Sequence, residues 1–170
     1  RRSLFKIKGV GGESLLSEEE AVRLHHYRDI RWIAPEKDLR VYNDLPDQIS
    51  RDTFLKRFWD RIDPSSGTPV NERLIAHLRR AAYADEHFTD VRGRSGSGTD
   101  KGRIYVKYEN PTDRDFSSTD HGGRTVEVWH YETTGNYDFI FRDRRGLGVF
   151  ELVDSNRPGE VYNPNWKIDF

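Results

Sequence analysis

The chain predicts an α+β fold: about three N-terminal helices followed by a four-stranded antiparallel meander packed on them. Three observations predict it. Apolar residues recur at helical spacing up to residue 87, and the period changes to two after residue 90. Turn-forming pairs, Gly135-Asn136 and Arg144-Arg145-Gly146, then separate short alternating runs.

The first helix opens at Ser17, with Glu20 three residues on, the spacing of a capping box. Val22, His26, Ile30 and Ile33 share one side, and Pro35 stops the helix. Ser50 caps a second helix, where Phe54, Phe58 and Ile62 follow at i, i+4 and i+8, widened by Leu55 and Trp59. Asp63-Pro64 ends it. Thr68 is the expected cap of a third helix running to about His87, with Pro69 at its first position and Glu72 near the positive dipole end. After a Gly- and Ser-rich loop over 91–98, the expected strands are Arg103–Tyr108, Arg124–Glu132, Tyr137–Arg142 and Gly148–Val153. Phe58 and Trp59 are expected to bury against that sheet.

These elements divide the chain into a lead-in over 1–16 (flexible, or a strand Ser3–Val10 of a preceding module), a domain over 17–155 and an irregular segment over 156–170. The domain has a helical part, 17–90, and a sheet part, 99–153. The C-terminal segment carries Pro158, Pro164, Trp166 and Phe170 and is expected to dock on the domain or on a neighbour.

Composition narrows the function classes. The 170 residues hold 28 basic and 29 acidic side chains, intermixed, which argues against the one-sign field of a general nucleic-acid binder. There is no cysteine, hence no disulfide framework and no thiolate chemistry. There is no methionine, so the chain reads as a fragment or a processed product. Its longest apolar runs are only a few residues, too short to span a membrane.

Catalytic patterns are missing. Asp63 reads as a helix terminator bonding turn N–H groups, and Asn71-Glu72 as capping residues. Thr99-Asp100 reads as a braced loop, because a calcium site needs several oxygen-bearing side chains. The histidines, His25, His26, His77, His87, His121 and His130, lack metal-binding spacing, and no G-x-S-x-G elbow is present. Tyr105, Trp129, Tyr131 and Tyr137 read as core or as a protein-binding patch with nearby arginines. No cofactor or metal is expected.

Two stretches carry a resemblance. Phe58-Trp59, Asp63-Pro64, Thr68, Asn71-Glu72, Tyr83-Ala84 and Phe88 form one. Gly96, Thr99-Asp100, Gly102, Ile104-Tyr105-Val106, Tyr108, Pro111, Trp129, Tyr131, Phe139 and Phe141 continue it. In order and spacing they resemble the GWxTD domain, a bacterial family without an assigned activity, over roughly residues 18–153. The chain departs from that pattern at Ser97 (for the motif tryptophan), at Ile62 and at Glu109. The resemblance implies an exported protein, periplasmic or outer-membrane-associated. A looser architectural likeness is to small lipoproteins of outer-membrane β-barrel assembly.

The resulting expectation is a non-enzymatic interaction or scaffold domain of a bacterial envelope assembly, with protein partners and no nucleic acid. The alternative is a hydrolase with its site between the 63–72 turn and the 90–100 loop.

Overall fold

The structure, a computed structural model, describes residues 17–65, 67–117, 123–133 and 135–168. The lead-in over 1–16 lies outside them. Over the described residues the chain is α+β, with helices α1 (Glu18–Arg28), α2 (Glu36–Asp44), α3 (Gln48–Arg61), α4 (Glu72–Phe88) and α5 (Asp100–Tyr108). Strands β1 (Asp113–Ser117), β2 (Val126–Tyr131), β3 (Tyr137–Asp143) and β4 (Phe150–Ser155) form one antiparallel sheet in the order β1-β2-β3-β4.

Local signals place most helix starts. Ser17 and Glu20 make the reciprocal capping box. Asp47, not Ser50, caps α3: its Oδ1 accepts the Ser50 N–H at 2.8 Å. Asn71, not Thr68, caps α4, accepting the Leu74 N–H at 2.8 Å, so Pro69 lies in the turn rather than at the first helical position. The Asn71 side chain also donates to the Trp59 carbonyl at 2.7 Å, and Thr68 donates to that of Val70 at 2.8 Å. A side chain that satisfies two helix ends at once outcompetes a nearby hydroxyl.

Two helices were not expected. The first helix ends at Arg28, with Asp29 as its C-cap, rather than at Pro35; Pro35 instead opens α2, supported by Glu36 and Asp38 in its first turn. The segment Arg103–Tyr108, expected as the first strand, is helix α5. Thr99 caps it, its Oγ1 accepting the Gly102 N–H at 3.1 Å, and Glu109 at φ 75 ends it. The alternation misled because α5 is buried on two sides. Ile104 packs with the sheet cluster (Trp129, Tyr131, Phe139, Phe141, Leu152), while Val106 packs with Ala81 and Ala84 of α4. Two apolar faces on one helix imitate a strand's period. The true first strand is β1.

Trp59 and Phe58 do not lie on the sheet. They are buried among Tyr27, Ile30, Leu55 and Leu74, a cluster built by the helical part alone, and the Trp59 indole donates to the Tyr27 carbonyl at 3.1 Å. The described residues thus form a helical core and a sheet core, with a small cluster of Ala81, Ala84 and Val106 between them that meets the first through Ile33 and the second through Phe88.

The C-terminal segment docks on the domain. Glu160 is buried against α5, accepting from Arg103 at 2.6 Å and Tyr108 at 2.7 Å and pairing with Lys107. The Asn163 N–H donates to Asp154 of β4, and Arg142 of β3 donates to the Trp166 carbonyl at 2.6 Å. No described helix is long and apolar enough to cross a membrane.

Candidate functional site

The two regions expected to share a site flank α4. The 63–72 turn precedes its first residue and the 90–100 loop follows its last. A 17-residue helix separates its ends by about 25 Å. Their side chains therefore occupy different places. In the turn, Asp63 accepts the Ser65 N–H at 3.0 Å, Pro64 follows, and Glu72 begins α4.

The Gly-rich loop is packing machinery. A Cβ on Gly96 would overlap the Ala84 carbonyl, and one on Gly102 would overlap that of Gly96. Backbone thus stacks on backbone from α4 through the 3-10 turn Gly96–Gly98 to α5. Thr99 donates to the Gly96 carbonyl at 2.7 Å while capping α5. Asp100 braces across to the sheet rather than within its loop, accepting the Leu152 N–H at 2.8 Å. Ser97 is buried. Its carbonyl accepts from the Trp32 indole at 3.0 Å.

A hydroxyl–carboxylate–imidazole cluster lies behind this loop, and its order is wrong for nucleophilic catalysis. Asp85 stands in the middle, accepting from the Ser95 hydroxyl and from the Ser97 N–H at 2.8 Å. On its far side, His26 Nε2 lies 3.2 Å from Asp85 Oδ2 without hydrogen-bond alignment. A general base must touch the hydroxyl it deprotonates, and here the carboxylate intervenes. Burial pushes Asp85 up, yet the bonds from Ser95 and Ser97 leave it below the ordinary carboxylate value. Burial lowers His26 and His77.

A 170 Å³ cavity between the end of α4 and the β3–β4 loop is lined by charged side chains that are already paired. Asp90 holds Arg94 at 2.7 Å, and Lys101 pairs with the buried Glu127, which also accepts from the Trp129 indole at 2.6 Å. The Lys101 ammonium sits 3.3 Å over the Phe150 ring, and burial lowers its pKa against the pull of Glu127.

The aromatics do not form an open face. Trp129 and Tyr131 are buried, the latter donating to the Glu109 carbonyl at 2.9 Å, and Tyr105 stacks on Tyr83. Arg114 roofs Trp129 at 4.6 Å, and Arg157 roofs Tyr137 at 4.3 Å. Two of these rings, Trp129 and Tyr137, thus lie beneath guanidinium groups. Among the described residues no group of three His, Asp or Glu is placed to hold a metal ion.

What remains open is the edge of the sheet. Among the described residues, β1 pairs with β2 only. The Asp143 N–H donates to the Thr125 carbonyl at 3.0 Å, so odd-numbered residues of β2 bond toward β3 and even-numbered ones toward β1. Through the β1–β2 register, Asp113, Asp115 and Ser117 face β2, and the main-chain groups of Arg114 and Phe116 point away from it. The Phe116 ring is 71% exposed. On the sheet's outer face, His130 bridges Asp138 at 2.7 Å and Asp115 at 3.2 Å, beside a cavity of 220 Å³. The Asp138 bond first, and Asp115 with it, raises the His130 pKa. Neither this edge nor its row of carboxylates was among the residues singled out from the sequence. Asp113-Arg114-Asp115-Phe116-Ser117 has no apolar alternation, and only its mixed charge hinted at an edge strand.

No family model, curated protein or solved structure matches the chain.

Proposed function

We propose that the chain is a non-enzymatic protein-interaction domain that takes up a partner's extended segment along the free edge of β1. The observation that carries this reading is the outward main chain of β1, the carbonyl of Arg114 (whose N–H is held by Asp113) and the N–H and carbonyl of Phe116, beside an exposed Phe116 ring. Such an edge supplies hydrogen bonds for one more strand, and an exposed aromatic supplies contact area for anchoring it. The motif residues Gly96, Thr99, Asp100 and Gly102 support a non-enzymatic reading, since each has a packing or capping role. Placement in a bacterial envelope assembly, outside the cytoplasm, rests on the resemblance to the GWxTD domain and is part of the proposal.

The test is a photocrosslinking amino acid placed at Phe116 in living cells, with the same group at the exposed Tyr162 as control. A discrete adduct from position 116 alone is the expected result. Adducts from both positions alike, or from neither, would sink the reading.

A further inference from the structure

The occupant of the β1 edge can be specified by charge, an inference that rests on the edge reading above. Side chains alternate along β1. Arg114 lies over Trp129 and Phe88 on the helix side of the sheet, so Phe116 shares that side, while Asp113 and Asp115 project on the outer face. Asp113 stands in register with His130, which stands in register with Asp138, and Glu132 follows at the end of β2; these acidic side chains are exposed or half-exposed. The outer face beside the edge therefore carries four carboxylates, Asp113, Asp115, Glu132 and Asp138, around one imidazole. The helix side offers an open aromatic ring.

A second copy of the chain is a poor fit. The antiparallel register that overlaps all five β1 residues pairs Arg114 with Phe116 and sets Asp115 directly opposite its own counterpart. Like charges in directly opposed positions are destabilising. We propose that the edge receives an extended segment of another protein in which alternate residues are basic, with apolar residues between them. A period of two then lays every cation over Asp113 and Asp115 and every apolar side chain beside Phe116.

The test uses two fluorescent octapeptides, one alternating lysine and valine, the other glutamate and valine, followed by anisotropy. The lysine peptide is expected to bind the wild-type domain at least about tenfold tighter than the glutamate peptide, with the preference shrinking at high salt. Asp113→Asn with Asp115→Asn should remove most of that preference, while retaining the acceptor that Asp113 gives to the Arg114 N–H. Phe116→Pro should abolish binding of the lysine peptide. It deletes an outward N–H and the ring, and proline is tolerated on an edge strand. Circular dichroism of each variant establishes that the fold is kept.

Equal binding of the two peptides, or lysine-peptide binding undiminished by Phe116→Pro, would overturn the proposal. If neither peptide binds while the crosslinker at Phe116 still yields its discrete adduct, the basic chemistry fails and the edge reading stands. If the adduct is absent as well, both fail.

Discussion

Trp59 shows how much one side chain ties together. Its ring fills the helical core, its indole N–H holds the Tyr27 carbonyl, and His77 packs 5.1 Å from its centroid. Trp59→Ala should lower stability by about 3–5 kcal/mol, measured by denaturant unfolding followed by circular dichroism. Gly96 is constrained differently. Gly96→Ala drives a methyl group into the main chain of Ala84, which has no rotamer by which to yield. A loss of about 1–3 kcal/mol is expected, and a melt unchanged from wild type would contradict the stacked-backbone account. The Ser17–Glu20 box was legible because it is complete within four residues. The burial of Trp59 was legible as well, from its apolar stripe. Its neighbours were not, because a stripe records that a face is covered and not by what.

At the scale of elements, α2, α5 and β1 were not read from the sequence, and α5 and β1 escaped for opposite reasons. α5 buries Ile104 on one side and Val106 on another, and its polar side is only the pair Arg103 and Lys107, too brief over nine residues to reveal a 3.6-residue period. β1 is an edge strand of five mostly polar residues with no buried run to reveal a period of two. Of the candidate site, the Gly- and Ser-rich loop was legible from composition, but its packing role and the open edge emerge only from the third dimension. The β3–β4 hairpin yields a further prediction. Buried Asp143 accepts from the N–H groups of Arg145 at 3.2 Å, Leu147 at 3.2 Å and Gly148 at 2.6 Å. Asp143→Ala leaves these donors without their acceptor, and a loss of about 1–3 kcal/mol should appear in thermal unfolding.

The α1–α4 interface should respond to acid. His77 Nε2 donates to the His26 carbonyl at 2.9 Å, and burial lowers the pKa of both imidazoles. Asp85, Asp29 and His25 face His26; Asp29, His26 and Arg80 face His77. With folded pKa values below the ordinary 6.5, the unfolded chain binds protons first. Their stabilising contribution is complete above that value and declines as pH falls through it. His130, with its raised pKa, has the opposite sign: its contribution is present at acid pH and lost as pH rises through its folded value. Denaturation midpoints of His130→Gln should therefore fall more steeply between neutral and mildly acid pH than those of the wild type. A parallel curve would show that the outer-face histidine is energetically silent.

Across the whole molecule, the C-terminal segment acts as a strap from α5 to the sheet. Glu160→Gln leaves Arg103 and Lys107 facing a neutral group in a largely buried setting, and about 3 kcal/mol should be lost. Truncation after Ser155 should destabilise further, by removing the contacts to Asp154 and Arg142 too. If the truncated chain melts like the full one, the strap is ornamental.

The position of α5 has a consequence for how the molecule comes apart. α5 walls the sheet core through Ile104 and a small cluster on α4, Ala81 and Ala84, through Val106, and Ile33 packs against both that cluster and the helical core. The described clusters are thus linked from the helical core through α4 and α5 to the sheet, and the two large cores are expected to open together. Trp59 in one core and Trp129 in the other should lose their native fluorescence in a single shared transition, at one midpoint and with one slope.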